Sequence, residues 1–118
     1  MALSSYPDVV ADISAHVATL SKDIPDTMKG FQAMAKAAAG SDGALTEREK
    51  ELIAMGIAVA LRCDGCIGFH TKALVKLGVT RAEFEEMLGV TVYMGGGPSL
   101  MSAAQAQRAW EEFGGAKS

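Results

Sequence analysis

Two cysteines and a histidine lie close together in the stretch ELIAMGIAVALRCDGCIGFH, residues 51–70. Cys63 and Cys66 are separated by two residues, a spacing at which two thiols can close into a small disulfide ring. His70 follows Cys66 by four residues, so on a helix its imidazole would lie one turn from that sulfur. A thiolate is the reactive form of cysteine, and a nearby base or a helix N-terminus increases its population. This stretch therefore predicts a redox dithiol with its own base.

The residues alone leave three interpretations of the cysteine pair open. A zinc site could use Cys63, Cys66 and His70, but structural zinc usually takes four protein ligands, and the other histidine, His16, is far away in sequence. Buried cysteines are also common as inert core residues. The third interpretation is a redox-active pair, although the βαβ pattern of a thioredoxin-like motif is missing. We favour the redox-active pair and expect neither a metal nor a bound cofactor.

Proton transfer could involve His70 and Glu51. His70 could be an ordinary hydrogen-bonded core residue, but its position one turn from Cys66 favours a functional role. Glu51 could be one more solvated charge in a charged first turn, yet the residues three, four and seven positions later are apolar. In one continuous helix Glu51 and Cys63 would be about 18 Å apart. They can approach each other only if the chain turns near residues 62–65 and the next helix packs back, which would bring the carboxylate beside His70.

The helical periodicity and its end signals predict an all-α fold of about six helices, with no strand pattern. Thr46 and Thr80 each begin a capping box, in which the threonine and the glutamate three residues later satisfy each other's free backbone N–H groups. A break is expected near residues 62–65 because Gly65 is unfavourable inside a helix. Gly78 is expected to cap the helix that follows the cysteines. The other breaks fall at residues 23–25, 40–43 and 95–98.

Apolar residues at three- and four-residue spacing mark one face of each predicted helix. The helix that begins near Glu47 is apolar nearly all the way round, which is typical of a helix that is central in a bundle or lies between subunits. The faces of the other helices are Val10, Ile13, Val17 and Leu20; Met28, Phe31, Ala35 and Ala38; Cys66, His70, Ala73 and Leu77; Phe84, Met87, Leu88 and Thr91; and Ala103, Ala106, Trp110 and Phe113.

Length and composition indicate one domain, residues 1–118, rather than two. Hydrophobic residues make up 49% of the chain, a surplus that points to contacts between subunits. The net charge of −3 argues against nucleic acid as a partner, and no apolar run approaches the roughly 20 residues needed to span a bilayer. The first residues, MALSSYPDVV, lack the pattern of a secretory signal. We therefore expect a cytoplasmic protein, where close cysteines are more often reactive or metal-binding than structural.

Together, Glu51, Cys63, Cys66 and His70 fit the pattern E-x11-C-x2-C-x3-H. This pattern resembles the signature of the alkylhydroperoxidase D-like and carboxymuconolactone decarboxylase-like superfamily. The similarity covers residues 45–113, through LTEREKELIAMGIAVALRC before the cysteines and YMGGGPSLMSAAQAQRAWEEF near the end. It implies a helical bundle assembled as a homotrimer or homohexamer, and a peroxidase or disulfide-reductase chemistry without metal or flavin.

The resemblance also implies a role for each of these residues. Cys66 would be the thiolate that attacks a hydroperoxide and becomes a sulfenic acid, and Cys63 would resolve it to a disulfide. Glu51 and His70 would form the proton relay. The substrate would be a hydroperoxide or a disulfide, and an external dithiol such as a lipoyl group or a thioredoxin-like protein would return the pair to its reduced state.

One departure from the pattern lies between the cysteines. Alkylhydroperoxidase D proper has a histidine there, whereas this chain has Asp64 and Gly65, and the negative charge of Asp64 would disfavour a thiolate.

Two other functions stay open. A decarboxylase-type enzyme would use His70 and Glu51 for proton transfer on a small organic acid, although that branch generally lacks the paired cysteines. A binding or assembly protein would carry the dithiol only as a sensor or a remnant.

Overall fold

A computed structural model describes residues 3–117, which form six α-helices and no strand. The all-α prediction is confirmed. None of the helices in this part of the chain combines the length and the apolar composition that a membrane span requires. The helices are α1 (Tyr6–Asp23), α2 (Pro25–Ala39), α3 (Glu47–Ala60), α4 (Asp64–Lys76), α5 (Arg81–Gly95) and α6 (Gly97–Glu112).

The helices begin where side chains can satisfy their first backbone N–H groups. Ser5 caps α1 by accepting a hydrogen bond of 3.2 Å from the backbone N–H three residues later. The capping boxes predicted at Thr46 and Thr80 both form. Hydrogen bonds from the threonine backbone, and then from its side chain, lower the pKa of Glu49 and Glu83.

The core lies between α3, α4, α5 and α6, with the first turn of α1 against it. Phe84 of α5 and Trp110 of α6 pack edge to face, with ring centroids 4.7 Å apart. Met55 of α3 is fully buried and accepts a hydrogen bond of 3.6 Å from the Thr71 hydroxyl of α4. The first contact joins α5 to α6, and the second joins α3 to α4, so the four helices pack around one core.

The buried face of α4 differs from the stripe that its sequence predicts. Cys66 and His70 are only half-buried, whereas the residues one position later along that stripe, Ile67, Thr71 and Leu74, are fully buried. Because one residue turns a helix by about 100°, the stripe with the sulfur and the imidazole lies at the edge of the core.

Helix α2 carries an apolar stripe that the fold leaves largely exposed. None of its residues is buried, and Phe31 and Met34 are 60% and 62% exposed. Within residues 3–117, α2 contacts only α1 and α3. The apolar stripe is real, but no part of the described chain covers it.

The chain reverses between α3 and α4 at Arg62, not at Gly65. Arg62 adopts the left-handed conformation with φ 55°. Its N–H donates to the Val59 carbonyl at 3.1 Å, and the Cys63 N–H donates to the Ala58 carbonyl at 3.1 Å. This pair of bonds is a Schellman motif, which usually has glycine in the place that arginine takes here. The predicted reversal is therefore present, but the reason given for it was wrong.

Two glycines of α4 have a different role, which is to let α1 pack closely. A Cβ at Gly65 would lie 2.7 Å from Ile13 Cδ1, and a Cβ at Gly68 would lie 2.7 Å from Val10 Cγ2. Gly78, by contrast, has φ 77° directly after α4 and ends that helix as predicted.

We predict that Gly68→Ala lowers the free energy of unfolding by about 1–3 kcal/mol, because the added methyl overpacks a buried contact with the stiff, β-branched Val10. Gly89→Ala is the matched control. Gly89 is also in a helix, but a Cβ there would meet nothing within 4 Å, so helix propensity alone should raise stability by up to about 1 kcal/mol. Chemical denaturation of both variants tests this, and equal effects would contradict the close approach of α1 to α4.

Candidate active site

The two cysteines lie at the N-terminus of α4. Cys63 is the N-cap residue, and its Sγ accepts a hydrogen bond of 3.2 Å from the Cys66 N–H. The two sulfurs are joined in a disulfide, with the Cα atoms 5.2 Å apart. Both residues are half-buried. In the reduced pair, the partial positive charge of a helix N-terminus favours a thiolate at this position.

Glu51 and His70 are in direct contact. His70 Nδ1 donates a hydrogen bond to Glu51 Oε1, which pairs the first half of α3 with the middle of α4. The Glu51 side chain is only 13% exposed, and that of His70 is 35% exposed. The carboxylate therefore lies inside the fold, in the arrangement that the predicted chain reversal requires.

This contact determines which nitrogen of His70 is free. An ionised carboxylate can only accept a hydrogen bond, so Nδ1 carries the hydrogen and Nε2 is the basic nitrogen of the neutral ring. Cys66 lies four residues before His70 on the same helix, so their Cβ atoms are neighbours on one face. The arrangement can take a proton from a thiol and return it to a leaving group.

A third contact, which the sequence pattern did not predict, reaches the residue between the cysteines. The Tyr6 hydroxyl donates a hydrogen bond of 3.1 Å to Asp64 Oδ1. Tyr6 is buried, its N–H donates to Glu112 Oε1 at 2.7 Å, and the Arg108 guanidinium lies 4.6 Å from the centre of its ring. No local pattern predicts this contact, because the two residues are 58 positions apart in the sequence.

Side chains that could bind a metal ion are not clustered in residues 3–117. Among residues 3–117, no group of three or more His, Cys, Asp or Glu side chains could hold a metal ion. His16, the other histidine, is exposed on α1, with Nδ1 3.6 Å from Asp12 Oδ1.

Comparison with known proteins identifies the class to which this fold and site belong. The sequence model of the Carboxymuconolactone decarboxylase family matches residues 25–114. The chain belongs to this family, in agreement with the resemblance found in its sequence.

Individual relatives are similar over most of the chain. A crystal structure of an apo carboxymuconolactone decarboxylase family protein from Legionella pneumophila is 54% identical in sequence, has a TM-score of 0.89, and is matched over 92% of this chain and 96% of its own. An uncharacterized protein of Cupriavidus necator is 38% identical over 82% of this chain and 85% of its own length. An uncharacterized protein of the cox locus of Paracoccus denitrificans is 34% identical over 64% of this chain and 68% of its own.

We predict that the buried Tyr6 makes the fold sensitive to alkaline pH. Burial first, and then the charge and hydrogen bond of Asp64, raise the pKa of Tyr6 from 10.0 to about 12. The fold favours the neutral phenol, so this stabilisation is complete below pH 10.0 and is lost as the pH rises through about 12. Over that range the wild type should lose more unfolding free energy than Tyr6→Phe, by on the order of 2 kcal/mol.

Denaturation at a series of alkaline pH values measures this difference. Tyr93→Phe is the control, since Tyr93 is the other tyrosine of the chain and is 84% exposed. A wild-type pH profile that matches that of Tyr6→Phe would show that folding does not raise the pKa of this phenol.

Proposed function

We propose that this protein is a thiol-dependent hydroperoxide reductase that cycles between a dithiol and the Cys63–Cys66 disulfide. One observation carries the proposal: the cysteine pair lies at a helix N-terminus, one turn from an imidazole whose other side is held by a buried carboxylate. The helix end favours a thiolate, and the Glu51–His70 pair supplies a base with one free nitrogen. Membership of the family supports an enzyme of this superfamily, and the specific activity is our inference.

The first half of the reaction oxidises the pair. The Cys66 thiolate attacks the terminal oxygen of the hydroperoxide, the O–O bond breaks, and an alcohol leaves with one proton, so that Cys66 becomes a sulfenic acid. Cys63 then attacks the Cys66 sulfur, the S–O bond breaks, and water leaves as the disulfide forms. Two electrons and two protons of the dithiol thereby reduce one hydroperoxide to an alcohol and water.

Glu51 and His70 handle the protons of these two steps in our proposal. His70 Nε2 takes the proton from the Cys66 thiol and passes it to the departing alkoxide. The Glu51 carboxylate stabilises the imidazolium that forms between the two transfers and keeps the ring in one orientation. General acid–base catalysis of this kind typically contributes about 10²–10⁴-fold to a rate.

The second half of the reaction restores the dithiol. An external dithiol, such as a lipoyl group or a thioredoxin-like protein, attacks the disulfide and forms a mixed disulfide. Its second thiol then releases the protein, so that two electrons and two protons pass to the Cys63–Cys66 pair. We propose that this exchange takes place in the cytoplasm, where such donors are kept reduced.

We predict different outcomes for the two single serine variants. Cys66→Ser should lose peroxide consumption with a dithiol reductant by at least about 10²-fold, because the attacking sulfur is gone. Without a reductant, Cys63→Ser should consume a single equivalent of peroxide and stop at the sulfenic acid, because Cys66 then has no resolving thiol. Peroxide assays, with mass spectrometry of the intact protein to count added oxygen or lost hydrogen, distinguish the two.

Replacing both cysteines by serine separates this proposal from its alternative. The Glu51–His70 contact contains no sulfur, so a decarboxylase-type enzyme acting on a small organic acid would keep its activity in that variant. Unchanged peroxide turnover in Cys66→Ser would remove the dithiol mechanism. Wild-type protein that never loses two hydrogens reversibly on mild oxidation would point to a binding or assembly protein.

We also propose that the chain assembles as a homotrimer or homohexamer. A groove of about 410 Å³ runs between α3 and α5, and its lining is almost entirely apolar. Ile57 and Met94, which line it, are 55% and 75% exposed in the single chain. This groove and the exposed Phe31 and Met34 of α2 are apolar surface that contacts between subunits would bury.

We predict that light scattering will give a mass of three or six chains for the wild type. Ile57→Lys combined with Met94→Lys should shift that mass to a single chain, because two buried and unpaired ammonium groups oppose association. Circular dichroism on the same samples checks that the helices are retained. A wild-type mass equal to one chain would contradict the assembly.

A further inference from the structure

Asp64 carries a negative charge beside the two cysteines. It is the first residue of α4 and lies directly between the two cysteines. A thiolate in the reduced pair and the Asp64 carboxylate are both stabilised by the same helix N-terminus, and their like charges repel each other. Anything that changes how Asp64 carries its charge will therefore change the energy of the reduced pair relative to the disulfide.

Tyr6 contacts this carboxylate from outside α4. Its hydroxyl lies 3.1 Å from Asp64 Oδ1, and its buried ring lies between Arg108 of α6 and Gly68 of α4, where a Cβ would be 3.5 Å from Tyr6 Cδ1. Arg108 lies 4.6 Å from the ring centre and also donates to Glu112 Oε2 at 2.9 Å, while Glu112 Oε1 accepts from the Tyr6 N–H at 2.7 Å. Contacts with both α4 and α6 thus hold the hydroxyl as a donor to Asp64.

The surroundings of Tyr6 keep it a donor. The charged groups that face it are Asp64 from α4 and Arg108 and Glu112 from α6, and the ring itself is buried. Burial and the Asp64 charge raise the pKa of Tyr6 to about 12, so the hydroxyl stays protonated at neutral pH. The close contacts of α1 at Gly65 and Gly68 hold the two helices at the distance that this hydrogen bond needs.

We propose that Tyr6 is a positioning residue that acts through Asp64 to set the reduction potential of the Cys63–Cys66 pair. The inference rests on the dithiol chemistry proposed above. By donating to Oδ1, the hydroxyl holds the carboxylate in one orientation and takes up part of its charge, which lowers the repulsion felt by a thiolate. A stabilised thiolate stabilises the reduced state, and the disulfide becomes easier to reduce.

The reference reaction for the test is exchange with glutathione. Two glutathione thiols reduce the disulfide through a mixed disulfide and leave as glutathione disulfide, so that two electrons and two protons pass to the protein. The equilibrium constant of this exchange compares the two states of the pair directly. Alkylation of free thiols followed by mass spectrometry gives the reduced fraction at each glutathione ratio.

A double-mutant cycle tests the proposal. Tyr6→Phe should lower the equilibrium constant for reduction about threefold, the effect of losing one hydrogen bond. Asp64→Asn should raise it about tenfold, because the repelling charge is gone. In the Asp64→Asn background, Tyr6→Phe should change nothing, since the charge on which it acts is absent. Tyr93→Phe, which alters an exposed tyrosine, should leave the constant at its wild-type value.

Several outcomes would overturn the proposal. An equal effect of Tyr6→Phe in both backgrounds would show that the ring acts through packing alone, and a shift in the opposite direction would contradict the charge argument. If Tyr6→Phe does not fold, Asp64→Asn decides by itself, because Asp64 is an exposed residue and an unchanged constant there rejects the coupling. The exchange needs no hydroperoxide, so loss of peroxidase activity and loss of this coupling are separate results.

Discussion

The Glu51 carboxylate is largely removed from water and therefore needs a hydrogen-bonding partner, and the arrangement of the site depends on that pairing. An unpaired buried charge costs several kcal/mol, whereas a charge with a hydrogen-bonding partner is tolerated. His70 is that partner, and it comes from the next helix. The pairing holds α4 against α3, and Cys66 lies one turn from the imidazole because it precedes His70 by four residues on the same helix.

The two sides of α4 differ in how deeply their residues are buried. One side carries Ile67, Thr71 and Leu74, which are fully buried and anchor the helix. The adjacent stripe carries the Cys66 sulfur and the His70 imidazole at the edge of the core, where both residues are half-buried. Because packed interiors resist displacement, a half-buried site on such a helix is held rigidly without being sealed.

Much of this arrangement was predictable because its signals are local. Capping boxes and glycine caps are local patterns, and they gave the six helices. The contact of Glu51 with His70 followed from their spacing once a reversal was assumed. The reversal falls within the predicted residues 62–65, but it rests on Arg62 in a conformation that usually selects glycine, and Gly65 is not its cause. The uncovered face of α2 and the hydrogen bond of Tyr6 to Asp64 depend on distant parts of the fold, and no local pattern encodes them.

The turn at Arg62 has a consequence for how this site can vary. Only residues 61–63 separate the two helices, so the connection has no slack to absorb an inserted or deleted residue. One extra residue between Cys66 and His70 would swing the imidazole by about 100° round the axis of α4 and carry it off the carboxylate. The lengths of the intervals between these side chains therefore determine whether Glu51 and His70 can meet. Sequence drift can replace exposed residues inside these intervals, but it cannot change the length of the intervals without separating Glu51 from His70.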